Sequence, residues 1–318
     1  MYKSSSPKFD ATLMPTRKLN LILIVQKRMT GLQDFLRIAE IIKGKCEDVV
    51  PHVTTRHHAI YKQFRYLIRP SLYVAFYEAN GFKPIRGRRF GGVKMTKSEQ
   101  YLQMEESGLE TLQWQMIKPN ERYEPSDWGP YVIVKPDEGK MGHDVKIRKT
   151  GRIHYEKDCE TSPHLIQRFL HTGKQPESYR ALTFFGEILY LQKSTNTACG
   201  NLLNDPTKAD EMGGHNPVAT ASKGRAQLVV DEEIIAYAKQ IAQTAFGNIP
   251  VLGQDVVRDP VTGKLYCLEV NPYGSTWHFS GSVGKAIQSN NELVFEEQFD
   301  AFNKVADILI RKTRENAR

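Results

Sequence analysis

The chain has 318 residues, enough at roughly 150 per domain for two or three structural units. Hydrophobic residues make up 40% and charged residues 25%, ordinary globular usage that excludes a disordered or fibrous chain. The 44 Lys and Arg exceed the 36 Asp and Glu by 8, so polyanions are the first partners to weigh: nucleic acid, an anionic membrane or a phosphorylated small molecule.

Residues 1–17 read as a polar leader in which Lys3 and Lys8 are not followed by the apolar run of a signal peptide. Leu19 to Gln26 is apolar almost throughout, the pattern of a strand buried on both faces of a parallel sheet, and Leu21 to Val25 is far short of the ~20 residues of a membrane span. Thr30 is placed to cap a helix whose Leu32, Phe35, Leu36, Ala39 and Ile42 recur at helical spacing up to Gly44. Val49 to Thr54 and Leu72 to Tyr77 read as further strands of the same open α/β unit, and Arg86 to Gly92 as a basic linker. Thr96-Lys97-Ser98-Glu99 is a capping box that opens a new helix. Short strands at hairpin spacing follow, at Tyr131 to Lys135, Asp144 to Arg148, Leu165 to Leu170, Ala181 to Phe185 and Ile188 to Gln192, which predicts an antiparallel sheet. Gly200 to Gly224 is polar and loop-like. Asp231 caps a helix with Ile234, Ala238, Ile241 and Ala245 on one face and Gly247 as its stop. A hairpin, Leu252 to Val257 and Lys264 to Val270, and an amphipathic helix, Val294 to Ile310, close the chain. Cys46, Cys159, Cys199 and Cys267 stand far apart with no C-x-x-C pair, so the expectation is a reduced, cytoplasmic protein.

Three constellations carry chemistry. Asp255 lies on one arm of the last hairpin, and Glu269 and Asn271 lie two apart on the other, hence on one face. Asp255 shares that face if the hairpin loop holds an odd number of residues. Two carboxylates and an amide oxygen form a hard donor set that suits Mg²⁺ beside phosphate; a solvated strand edge is the competing explanation. Second, Lys135-Pro136 ends an apolar strand and is followed by a loop with Gly139 and Gly142, an arrangement that folds N–H groups over phosphates while the ammonium supplies charge. An ordinary hairpin gives the same pattern. Third, Leu165 to Leu170 (LIQRFL), Glu177 to Ala181 (ESYRA) and Phe185 to Tyr190 succeed one another in order.

Together these motifs resemble the ATP-grasp superfamily: a lysine before a helix, K-P with a Gly-rich loop, a Q-x-F-L hinge, an arginine opening a strand, then G-x-D and E-V-N. The pattern is nearest to the ribosomal-protein glutamate ligase and D-alanine:D-alanine ligase branches and covers Met95 to about Ser275. The resemblance implies an α/β fold, with an open pre-grasp domain (1–93), a nucleotide-lid subdomain (94–190) and a catalytic subdomain with the metal site and C-terminal helix (191–318). It implies that Lys97 and Lys135 contact the α- and β-phosphates, that Gly139 to Gly142 closes over them, and that the backbone of Gln167, Arg168 and Phe169 forms the adenine hinge. Glu177 is implied as the ribose carboxylate, Arg180 as the group holding the transferred phosphoryl, Lys193 as a further neutralising cation, and Asp255, Glu269 and Asn271 as ligands of one or two Mg²⁺, with Mn²⁺ as a substitute. Arg168 and His143 depart from the acidic and small residues usual at their positions. The implied activity is ATP-dependent activation of a carboxylate as an acyl phosphate and its transfer to an amine, on amino-acid or peptide substrates.

Two rivals remain at the level of sequence: a small-molecule kinase on the same fold, and a nucleic-acid-binding or scaffold protein with a vestigial nucleotide site. The basic Arg86 to Arg89 stretch suits the second, but no nucleic-acid motif accompanies it and the phosphate-site residues are intact, so nucleic acid and a membrane are both disfavoured as partners; a homodimer is left open. His57-His58 reads as solvated surface, since neighbours face apart, and His215 and His278 are the candidate general bases.

Overall fold

The computed structural model describes residues 18–25, 31–55, 69–77, 85–139, 144–153, 155, 157–172, 175–196 and 224–317. Strands β1 (Leu19–Val25), β2 (Val49–Thr55), β3 (Ser71–Ala75) and β4 (Gly87–Gly91) form a parallel sheet in the order β2-β1-β3-β4. The β1 residues Leu21 to Val25 are buried on both faces, which is why the run shows no alternation. The basic stretch expected to be a linker is instead β4, an edge strand. Phe90 explains the difference: it is buried and packs edge-on to Phe185, with ring centroids 5.0 Å apart, so the arginines ride on a strand pinned by an aromatic.

The first helix, Leu32–Lys45, runs through Gly44, and its N-cap is Gly31 without a side-chain cap bond; Thr30 lies outside the described residues. A Cβ at Gly31 would lie 1.4 Å from Ser280 Oγ, so this close approach requires glycine. In the next turn Asp34 accepts from Trp277 Nε1 (2.9 Å) and Ser280 Oγ (2.6 Å), fastening the helix to the segment after the last hairpin. Phe35, Phe76, Phe184, Trp277, Phe279 and Phe302 share the main core, at the meeting of the first sheet, the third sheet and the C-terminal helix. Truncating any one of them to alanine would cost about 3–5 kcal/mol.

Strands β5 (Trp114–Met116), β6 (Tyr131–Pro136), β7 (Lys146–Lys149) and β8 (His164–Arg168) make a second, antiparallel sheet ordered β5-β8-β6-β7. The third, also antiparallel, comprises β9 (Glu177–Phe184), β10 (Glu187–Thr195), β11 (Arg225–Leu228), β12 (Val251–Arg258) and β13 (Leu265–Asn271) in the order β11-β10-β9-β12-β13. The expected boundary at 190 falls inside β10, which pairs with β9 in this sheet. The helix Lys97–Glu106 starts with the anticipated capping box and lies between the second and third sheets. Asp231 caps Glu232–Thr244 through a bond from Ile234 N (3.1 Å), and Ile234, Ile235 and Ala238 back the third sheet at Ala181, Leu191 and Val256. The helix ends at Thr244, before Gly247. The last helix spans Ala301–Asn316 rather than 294–310, because Asp300 takes a left-handed conformation (φ 50°) that stops the helix extending backwards; a separate helix, Ser282–Asn291, precedes it.

Candidate active site

Residues directly paired across antiparallel strands project from the same face. Gln192 on β10, Arg180 on β9, Asp255 on β12 and Glu269 on β13 form one such row. Two β-bulges create it. The β12–β13 loop, 259–264, holds an even number of residues, so the odd-count condition is not met, and Arg258 faces Leu265. That register alone would send Asp255 and Glu269 to opposite faces. The extra residue Leu268 shifts it between Val256↔Cys267 and Asp255↔Glu269, and the carboxylates come together.

Arg180 Nη1 donates to both oxygens of Asp255 (2.8 and 2.7 Å), and Nη2 donates to Thr276 Oγ1 (2.9 Å). Asn271 sits two pairs further along, on the same face, opposite Gly253. A Cβ at Gly253 would lie 1.8 Å from Thr276 Oγ1 and 2.9 Å from Arg180 Nη2, so the glycine makes room for the Arg180–Thr276 bond. Burial pushes the Glu269 carboxyl above its ordinary pKa, and the negative Asp255 raises it further. Two mutually repelling carboxylates and an amide oxygen on one face fit a hard divalent cation, which would relieve that repulsion. No group of three or more His, Cys, Asp or Glu side chains that could hold a metal ion occurs among the described residues.

Lys135, at the end of β6, is buried, and its ammonium donates to Tyr101 Oη (2.6 Å), Gln167 Oε1 (2.9 Å) and the Leu268 carbonyl (3.4 Å). Burial pulls its pKa down to about 8, against the opposing attraction of Glu269. The buried Lys97 lies four residues before Tyr101, hence on the same helix face, with Nζ 3.5 Å from the carbonyls of Asp137 and Gly139. The carboxylate of Asp137 takes bonds from Ser98 N and Ser98 Oγ (both 2.8 Å), closing the helix start onto the Gly139 loop. Gly142 and His143 lie outside the described residues, as do His57, His58 and His215.

Other expected groups stand elsewhere. Lys193 and Glu177 pair with each other (2.8 Å), and their register partners, Tyr179 and Thr195, put them on the reverse face of the third sheet, the side backed by Glu232–Thr244. Neither shares the face of Arg180. Of the residues expected in the hinge, Gln167 is paired on both sides, to Trp114 and Ile133, and Arg168 N bonds to Gln113 O (2.8 Å), so the chain leaves the sheet only at Phe169. Burial, with help from the charge of Arg180, lowers the His278 pKa to about 3, and its Nδ1 lies 3.3 Å from Tyr190 Oη; a neutral imidazole this weakly basic is a poor general base. Trp277 is buried in the main core. Tyr101, Asp137 and Thr276 were missed in the sequence, although the i, i+4 spacing of Lys97 and Tyr101 was an available signal; Gly253 entered only as the glycine of the G-x-D pattern.

No family model matches this chain, and no curated protein matches it in sequence. Among solved structures it is similar to D-cycloserine synthetase DcsG, with 12% identity and a TM-score of 0.51 over 91% of this chain and 99% of that one. The ATP-grasp ligase PsnB complexed with minimal precursor gives 11% and 0.51 over 93% and 100%. A Chryseobacterium gregarium RiPP-associated ATP-grasp ligase in complex with ADP and a leader and core peptide gives 11% and 0.50 over 92% and 97%. The chain has the ATP-grasp fold across nearly its whole length. No helix among the described residues is long and apolar enough to cross a membrane.

Proposed function

We propose that this ATP-grasp chain is an ATP- and Mg²⁺-dependent ligase that activates a carboxylate as an acyl phosphate and transfers the acyl group to an amine. The observation that carries this reading is the row Arg180, Asp255, Glu269 on one face of the third sheet, with Lys135 bonded to the carbonyl next to Glu269. A carboxylate and ATP are both anions, so attack is opposed by charge, and a site that gathers Lys97, Lys135 and Arg180 answers that difficulty. Asp255, Glu269 and Asn271 would hold magnesium, which would supply positive charge beside the phosphates. Lys97 and Lys135 bind the nucleotide phosphates, the Gly139 loop covers them, and the chain from Phe169 onward flanks the base.

Arg180, fixed by Asp255 and Thr276, takes the phosphoryl group as it passes from ATP to the carboxylate oxygen and ADP leaves. The amine nitrogen then attacks the acyl carbon, phosphate departs, and the nitrogen gives up its proton. Substrate enters at the carboxyl ends of the parallel strands, where open α/β sheets take ligands. There Phe76 O accepts from Gly274 N (2.7 Å) and Pro272 O from Val93 N (3.1 Å), joining the first sheet to the segment just after Asn271. An amino acid or a peptide end suits both substrate roles.

The test is a screen of amino acids and short peptides for Mg²⁺-dependent phosphate release from ATP, with hydroxylamine present. An acyl hydroxamate is expected. A stable phosphorylated product without hydroxamate would make the protein a phosphotransferase instead.

A further inference from the structure

Tyr101 stands in the site with no part assigned to it in phosphate, metal or acyl chemistry. Its side chain is fully buried, and its ring packs against Trp114 of the second sheet, with centroids 5.2 Å apart. A phenol carries one proton, and here that proton goes to the Leu268 carbonyl of β13, 2.5 Å away. The oxygen lone pairs are left to accept from Lys135 (2.6 Å), so the direction of both bonds is fixed, from lysine to tyrosine to backbone. Burial holds the Tyr101 pKa well above its ordinary value, and the phenol stays protonated.

An ammonium has three N–H groups, and those of Lys135 meet Tyr101 Oη, Gln167 Oε1 and Leu268 O. These acceptors come from the helix Lys97–Glu106, the second sheet and the third sheet, so one cation is held where three elements meet. The same helix also fastens the free edge of β13 one step on, where Val270 N donates to Gln100 Oε1 (3.0 Å). Leu268 is the bulge residue that brings Glu269 opposite Asp255. The hydroxyl therefore ties the lysine of the second sheet to the register of the carboxylate hairpin.

We infer that Tyr101 is a positioning residue: it holds the Lys135 ammonium at a set distance from the Asp255–Glu269 hairpin, and the long Leu268 contact is the one exchanged for a phosphate oxygen when nucleotide binds. This rests on the reading of Lys135 as a phosphate contact. Because the phenol is fully buried, its loss leaves Lys135 one acceptor short and Leu268 O with only the long contact from Lys135.

The experiment uses the full chain as wild type, Tyr101→Phe, Lys135→Met and the double variant, titrated with ADP and MgCl₂ and, separately, with adenosine. Urea melts check that each variant is folded. Lys135→Met is expected to weaken ADP about tenfold or more, and Tyr101→Phe about three- to tenfold. In the Lys135→Met background, Tyr101→Phe should cost nothing further, because the two act as one unit. Adenosine, which lacks phosphates, should bind the wild type and Tyr101→Phe alike. Equal losses for Tyr101→Phe in both backgrounds, or equal losses for ADP and adenosine, would reduce Tyr101 to packing and overturn the inference. So would an ADP affinity that falls in Lys135→Met but not in Tyr101→Phe. If Lys135→Met binds ADP as the wild type does, or the wild type binds none, the phosphate-contact reading itself fails and takes the inference with it.

Discussion

The two faces of the five-stranded sheet each carry an ion pair, and by local geometry the pairs are near twins. Arg180–Asp255 measures 2.7 Å with side chains 17% and 33% exposed; Lys193–Glu177 measures 2.8 Å with 22% and 34%. What separates them is the company each keeps. The first has Glu269 beside it in register and Thr276 above it, while the second lies on the face that a helix packs against. Ion-pair length and exposure therefore do not identify a site. The charges left over after the pair has formed do: Glu269 is an additional anion on one face, and nothing equivalent is in register with Lys193.

Arg180→Met should break this contrast most severely. It removes the proposed phosphoryl contact and strands Asp255 beside Glu269, so ATP-dependent phosphate release should fall about a thousandfold. Stability in a urea melt should fall by about 2–3 kcal/mol, because a charge is left part-buried without its partner. Gly253→Val should come next, since its side chain drives Thr276 and the guanidinium apart; a loss of about 1–3 kcal/mol is expected, with activity lost in proportion to the misplaced arginine.

The third expected effect is of pH. Lys135 has a folded pKa of about 8 against an ordinary 10.5, so between those values the unfolded chain binds more protons and stability gains as pH rises. Activity runs the other way, declining as the ammonium is lost above about 8, and phosphate binding should restore the proton. Calorimetry of ADP binding at about pH 8.5, in two buffers of different ionisation enthalpy, should register proton uptake that is missing in Lys135→Met. Smallest of all, Lys193→Met should change stability by about 0–1 kcal/mol and phosphate release by less than about threefold. A Lys193→Met loss as deep as that of Arg180→Met would erase the distinction between the two faces.

Much of this was legible in the sequence. The unbroken apolar run at Leu21–Val25, the Thr96–Glu99 capping box and the Asp231 cap are local signals, and the elements they announce are there. The order of lysine, arginine and carboxylate motifs was legible too. Register was not. The two-residue turn at Phe185-Gly186, with φ of 45° and 81°, pairs Phe184 with Glu187, and continued without interruption it would put Lys193 opposite Ser178, on the face of Arg180. The bulge at Leu189 moves Lys193 opposite Tyr179 instead. A leucine in a strand looks the same to periodicity whether it is paired or extra, so neither Leu189 nor Leu268 betrays its role. The β4 arginines misled for a related reason: composition suggested a linker, while one buried phenylalanine decided for a strand.

Those two leucines also set the scale on which this protein can be undone. A strand ordinarily tolerates exchange of one residue at a time, because each substitution alters a single side chain. Removing Leu268 as a whole residue leaves every reactive group in the gene and turns Glu269 and Asn271 to the wrong side of the sheet. Removing Leu189 does the reverse and delivers Lys193 to the side of Arg180. One codon gained or lost inside a strand is thus enough to abolish such a centre, or to recruit a new cation to it.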